Sequence, residues 1–279
     1  VRNIYSGAWD KVATADADGS IQNAAFAVRE HVQNGTATVI VQCTADSALP
    51  DTDTTTDGIK NNNAGWDGTG VPEDYDFSFA WITDTQYYAE KWPHHYDNIL
   101  TWLDENQDTW KIKYVMHTGD IIDDWDAMYQ WENADVAMKI FDDAGLPYGV
   151  LPGNHDVASG LDQRHNYYTY FNEDRFNVQP TYGESYQNNF GHYDLVSENG
   201  QDFIIVYMGW VMNKAEMDWM NKVLAEHSDR KAILCFHGYT HVRESVDGLL
   251  DYFGVMIRDN VVAKNPNVFA VLNGHYSGS

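Results

Sequence analysis

The sequence predicts an α/β fold built around a largely parallel β-sheet. Two observations carry this. From residue 77 onward, short apolar runs rich in β-branched and aromatic residues alternate with stretches whose apolar residues recur at helical spacing. Past the ends of five of those runs stand Asp, Asn or His residues, where open α/β sheets gather their ligand sites.

Taken in chain order, residues 37–44 read as a strand, and 24–32 as a strand or a short helix. Residues 45–76 are rich in Asp, Thr, Asn and Gly and carry Pro50 and Pro72, which is loop or linker chemistry. The cluster Asp51, Asp53, Asp57 fails the EF-hand template. It lacks Gly at the sixth position and has Asn62, not Glu, at the twelfth, so a solvated acidic loop is expected there. Asp16, Asp18 and Gly19 form a turn by the same logic. Residues 1–75 are therefore expected to be a β/loop-rich N-terminal segment, the remnant of an upstream domain plus linker. The main domain is expected over 76–279.

Within that domain, strands are predicted at 77–83, 113–117, 148–151, 203–208, 232–236 and 268–272. Tyr96, Ile99, Leu100 and Leu103 mark a helix after Pro93. Ala127, Trp131, Ala134, Met138 and Phe141 mark a second, closed by Gly145 and Pro147, and Met217, Met220 and Leu224 a third. Residues 189–195 and 203–208, joined by Glu198-Asn199-Gly200, read as a hairpin.

Composition bounds the function. The formal net charge is −25, with 43% apolar and 14% aromatic residues. That excludes a disordered acidic tail and argues against bulk nucleic-acid binding, which selects Lys and Arg. No apolar run approaches the ~20 residues of a membrane-spanning helix. Cys43 and Cys235 are expected to be two separate buried thiols. The acidity, the low Lys content and the start at Val1 suggest an extracellular or cell-surface protein, although a salt-adapted cytoplasm would produce the same acidity.

The residues past the strand ends are Thr83-Asp84-Thr85-Gln86, His117-Thr118-Gly119-Asp120-Ile121-Ile122-Asp123, Pro152-Gly153-Asn154-His155-Asp156, His237-Gly238, and Asn273-Gly274-His275-Tyr276-Ser277. Carboxylate, carboxamide and imidazole suit divalent metals. Asp84, Gln86, Asp120, Asn154, His237 and His275 are enough for two ions, with Asp120 as the candidate bridge. A pair of ions about 3.5–4 Å apart can activate water and neutralise charge on a phosphoryl oxygen. The glycines before Asp120, Asn154 and His275 are expected to let the chain turn sharply. Each residue alone is also accounted for by an ordinary role: an Asp capping a helix or turn, Asn154 in a turn, His237 bonded in the core. The ordered set of five is what points to metal chemistry.

That ordered set resembles the calcineurin-like metallophosphoesterase family over about residues 77–278: Asp84-x-Gln86, Gly119-Asp120-x-x-Asp123, Gly153-Asn154-His155-Asp156, His237, and Gly274-His275-x-Ser277. The resemblance implies a four-layer αββα sandwich and hydrolysis of phosphate mono- or diesters at a dinuclear site. It implies Asp84, Gln86 and Asp120 on the first ion and Asp120, Asn154, His237 and His275 on the second. It implies that His155 contacts phosphate and protonates the leaving group, and that Asp123 orients His155. Ser277 replaces the family's last His, which leaves oxygen ligands only at the first site; Mn, Fe, Zn or Mg would serve, with Ca an option at that weaker first position. The chain stops where the family continues with further strands. A degenerate, non-catalytic metal-binding or surface-interaction module on the same fold is the alternative reading. The implied partner is a small phosphate ester; oligomeric state is open. His94, His95, His117, His165, His192, His227 and His241 are expected on the surface or in local bonds, with His241 close enough to His237 to face the cleft. Trp125 and Trp210 are expected to pack, or else to wall a pocket over the metals.

Overall fold

The computed structural model describes residues 39–43, 71, 75–158, 163–210, 212–241 and 249–276. The expected element at 24–32, the turn at 16–19, the acidic loop at 51–57 and Ser277 lie outside the described residues. In chain order the elements are β1 (Val39–Cys43), β2 (Phe77–Ile82), α1 (Gln86–Lys91), α2 (Pro93–Glu105), β3 (Ile112–His117), α3 (Met128–Ala144), β4 (Tyr148–Val150), α4 (His165–Tyr170), α5 (Glu173–Phe176), β5 (Tyr182–Tyr186), β6 (Gly191–Glu198), β7 (Gln201–Met208), α6 (Lys214–Glu226), β8 (Lys231–Phe236), β9 (Thr240–His241), β10 (Leu249–Leu250), α7 (Tyr252–Asn260) and β11 (Val268–Asn273).

There are two main sheets, and neither is wholly parallel. The first has the order β1-β2-β3-β4, the second β11-β8-β7-β6-β5. The ladders β2–β3, β3–β4, β7–β8 and β8–β11 are parallel, whereas β1–β2, β5–β6 and β6–β7 are antiparallel. The parallel ladders are the expected βαβ units and β6–β7 is the expected hairpin, whereas the antiparallel pairs β1–β2 and β5–β6 add to that expectation. The tight Asn199-Gly200 turn, with φ of 48° and 76°, is the short connection that forces β6 and β7 to run antiparallel. Residues 39–43, read as part of an N-terminal segment, form an edge strand of the first sheet by pairing with β2.

Period-2 alternation builds the layers. Phe77 and Phe79 of β2, Tyr114 and Met116 of β3, Phe203, Ile205 and Tyr207 of β7, and Ile233 and Cys235 of β8 form one buried cluster between the sheets. The alternate residues Ala80, Ile82 and Val115 pack instead with Leu100 and Leu103 of α2 and Trp131, Met138 and Phe141 of α3. Ile204, Val206, Leu234 and Phe236 pack with Met220 and Leu224 of α6 and Ile257 of α7. Helices therefore cover both outer faces, giving the αββα order. α3 ends where Gly145 takes the left-handed conformation, φ 68°, as its position after the apolar stripe predicts.

The inter-sheet layer also holds polar groups. Tyr114 donates a short hydrogen bond to Asp194, Tyr207 donates to Tyr114 at 3.1 Å, and Thr181 donates to Asp194 at 3.2 Å. His192 is fully buried, stacked on Tyr207 at 4.2 Å, with Nε2 3.3 Å from Asp194 but outside hydrogen-bond geometry. Cys235 is a free, buried thiol. No described helix is long and apolar enough to cross a membrane.

Candidate metal centre

The parallel strands β2, β3, β4, β8 and β11 bring their carboxyl ends together, and the loops that follow carry the candidate residues. The sharp turns are made by the functional residues themselves. Asp84, Asp120 and His275 have φ of 53°, 51° and 76°, a strained left-handed region for non-glycine residues. Gly119 shares this geometry at φ 93°. Gly153 and Gly274 do not; they are needed for close approach. A Cβ on Gly153 would lie 2.2 Å from Asp120 Oδ1, and one on Gly274 2.3 Å from Asp84 Oδ2. The expectation that all three glycines serve as turn residues is corrected accordingly.

Three donors converge most closely. One ligand atom each from Asp120, His237 and His275 lie within 4.8 Å of one another. His237 Nδ1 donates to the Thr118 carbonyl at 2.9 Å, which turns Nε2 toward Asp120 Oδ2 at 3.0 Å, Asn154 Oδ1 at 3.0 Å and His275 Nδ1 at 3.2 Å. Asp84 accepts from the Thr83 hydroxyl at 2.6 Å and from the His275 backbone N–H at 3.1 Å. Gln86 is buried, and its Oε1 accepts no hydrogen bond among the described residues.

The electrostatics follow from burying charges together. Burial pushes the Asp84 carboxyl up to about 6, the His237 charge working against it. Burial also disfavours the Asp120 anion, yet the facing His237 imidazole and the His155 groups hold this carboxyl below its usual range. In return Asp120 lifts His237 to about 9 in spite of its burial. His275 is held down near 4 by burial and by His237.

His155 stands beside this group, its Nε2 3.9 Å from Asp120 Oδ2. Its Nδ1 donates to the Asp123 backbone carbonyl at 2.7 Å and lies 3.2 Å from the Asp123 carboxylate. The carbonyl is thus the nearer orienting contact. Burial lowers the His155 pKa, but Asp120 and Asp123 more than reverse this.

Two residues that the sequence assigned no role hold the loops. Asp156, fully buried, accepts from the backbone N–H groups of Gly153 at 2.7 Å, Ile121 at 2.9 Å and Ile122 at 3.0 Å, tying the loop after β3 to the loop after β4. Gln130, also fully buried, accepts from the N–H of Asp123 at 2.7 Å and Asp124 at 3.0 Å. The Asp after Gly-Asn-His was a visible signal for the first. Nothing local marked Gln130, which stands in the first turn of α3 outside every motif. His117 is buried in local bonds, to Thr85 at 2.9 Å and Gly119 at 3.2 Å. The His241 ring lies tilted against Tyr276 at 4.4 Å, next to His275. Trp125 packs against the helix-side core, while Trp210 lies 4.7 Å from His275 and 5.6 Å from His237.

The donor set fits divalent ions. It combines a fixed imidazole tautomer, a central carboxylate that faces both neighbouring groups, and an unpaired buried carboxamide oxygen, the expected features of a prepared ligand shell. Two sheets packed face to face between helices, with Asp, Asn and His meeting beyond their strand ends, define the metallophosphoesterase class of fold. The chain belongs to the calcineurin-like phosphoesterase family, whose model matches residues 77–276. It is 48% identical over 200 residues to the uncharacterized protein YvnB of Bacillus subtilis (strain 168), a match that covers 72% of this chain and 15% of that protein. The chain thus spans a small part of the length of that relative. Among solved structures it is similar to a dimetal phosphatase from Danio rerio, with 14% identity, TM-score 0.48 and coverage of 72% of this chain and 82% of the other. It is also similar to TT1561 of Thermus thermophilus, with 13% identity, TM-score 0.45 and coverage of 70% and 80%.

Proposed function

We propose that this chain hydrolyses small phosphate mono- or diesters at a two-ion site. Asp84, Gln86 and Asp120 would hold one ion, and Asp120, Asn154, His237 and His275 the other. The observation that carries this reading is the convergence of Asp120, His237 and His275 on one point beside the orphaned Gln86 oxygen. Divalent ions bound there supply Lewis acidity toward a phosphoryl group and activate water.

The residues of the chain do the rest. His237 keeps its Nδ1–H on Thr118, so Nε2 stays available as a lone pair once its proton has left. His155 keeps Nδ1–H on Asp123, so Nε2 is the atom that meets the phosphate and hands a proton to the departing ester oxygen. The Asp120 and Asp123 carboxylates favour the protonated form of this ring against its burial, the direction a proton donor needs. Oxygen donors at the first position favour Mn or Mg, whereas the two imidazoles at the second suit Mn, Fe or Zn.

The test is turnover of p-nitrophenyl phosphate and bis-p-nitrophenyl phosphate by protein loaded with each metal, alongside metal stoichiometry in the parent chain and in Asp120→Ala. Two ions, with activity lost in Asp120→Ala, support the proposal. A folded protein that binds one ion or none and turns over neither ester refutes it and leaves a non-catalytic binding module.

A further inference from the structure

Beside the two histidines the surface carries a row of rings. Trp210 is half-buried, 4.7 Å from His275 and 5.1 Å from Phe253. Phe253 continues to Tyr252 at 5.9 Å, and on the other side His275 continues to Tyr276 at 4.4 Å and from there to His241 at 4.4 Å. Two members stand in solvent: Tyr252 is 81% and Tyr276 37% exposed. Six rings, His275 among them, thus adjoin one another in sequence, neighbouring planes tilted by 45° to 74°, so that a planar ligand would stack on one ring, Trp210 nearest the site, and meet its neighbours edge-on.

The row is built into the fold. The backbone N–H of Trp210 donates to the Pro152 carbonyl at 2.9 Å, anchoring the main chain that carries this indole to the loop that presents Asn154. Gly238, next to His237, makes room for it: a Cβ there would lie 3.0 Å from the indole Cζ3. Exposed aromatic faces in contact with a polar centre cost hydration free energy that a stacked ligand would recover. Phosphate carries no such face, so what would stack is the organic part of the ester.

We propose that this row is a binding shelf for a planar aromatic group, and that the substrates of this site are aryl-type phosphate esters in preference to small alkyl ones. The inference rests on the phosphoesterase reading above and names its substrate class.

Binding of phenylphosphonate and methylphosphonate, neither of which can be hydrolysed as an ester, tests it by calorimetry on the Mn-loaded chain. Phenylphosphonate is expected to bind roughly fivefold to tenfold tighter, the span of one to two aromatic contacts. The ratio should fall to near one in Trp210→Ala. Tyr276→Ala, a change at an exposed ring with little bearing on folding, should lower it by a smaller factor. Equal affinity for the two phosphonates in the parent chain overturns the shelf, as does a preference that survives both substitutions. Phenyl phosphate and methyl phosphate are assayed in parallel: absence of turnover with the binding preference intact overturns the catalytic reading and spares the shelf.

Discussion

Asp156 is the residue whose loss should best separate the scaffold of the site from its chemistry. Its carboxylate is fully buried and satisfies three backbone N–H groups, from Ile121, Ile122 and Gly153. In Asp156→Ala all three donors would remain buried without an acceptor. Each such group costs about 1–3 kcal/mol. Part of this is offset, because burial and the nearby Asp120 charge already push Asp156 up to about 7, so the native carboxylate carries a penalty of its own. A net loss of ~3 kcal/mol is expected. Asp156→Asn should cost about half of that. Oδ1 accepts from both Ile121 and Ile122 and would persist as the amide oxygen, whereas the amide nitrogen would stand in place of the acceptor for Gly153. The same bonds hold Asp120 and Asn154 in register, so metal affinity should fall by roughly tenfold or more in both variants. Urea unfolding followed by circular dichroism gives the first quantity and metal titration the second. An Ala variant within ~1 kcal/mol of the parent, with unchanged metal affinity, would show that the two loops do not depend on this contact.

Other single contacts lead to equally direct tests. His237, lifted to about 9 by Asp120, holds a proton at neutral pH in the metal-free chain, and a metal must displace it. Affinity for Mn should therefore rise by roughly tenfold per pH unit up to about 9, with about one proton released; calorimetry in buffers of different ionisation enthalpy reads this directly, and a flat profile from pH 6 to 8 would count against it. Gly149→Ala would place a Cβ 2.5 Å from the Tyr207 ring and 2.6 Å from the Tyr114 hydroxyl, so about 1–3 kcal/mol of stability should be lost in urea unfolding with metal affinity unaltered. Gln130→Ala removes the acceptor for the Asp123 and Asp124 N–H groups, which should lower kcat on p-nitrophenyl phosphate roughly tenfold with little change in metal affinity; equal loss of both would assign Gln130 to metal binding instead.

Much of the fold was legible because its signals are local. The unbroken apolar runs from Phe77 and from Phe203 mark strands buried on both faces, and the stripe ending at Gly145 marks α3. Short elements were not legible. β5, half-exposed along its length, shows no alternation, and α1 spans only Gln86–Lys91 with no acidic residue in its first turn. The division into two sheets was not readable from periodicity either, since a strand covered on both faces looks the same in either sheet.

Which side chains can meet a metal is a property of the chain alone: Asp84, Gln86, Asp120, Asn154, His237 and His275 stand in that order, each a step past an apolar run. How they are held is settled by the folded molecule. Asp84, Asp120 and His275 adopt left-handed backbone that their own side chains disfavour; Gly153 and Gly274 admit the opposing loops to contact, the His275 N–H ties its loop to Asp84, and Asp156 and Gln130 hold the loops after β3 and β4. Hydrogen bonds between residues dozens of positions apart cannot be read along a chain, because they exist only where packing has already brought the loops together.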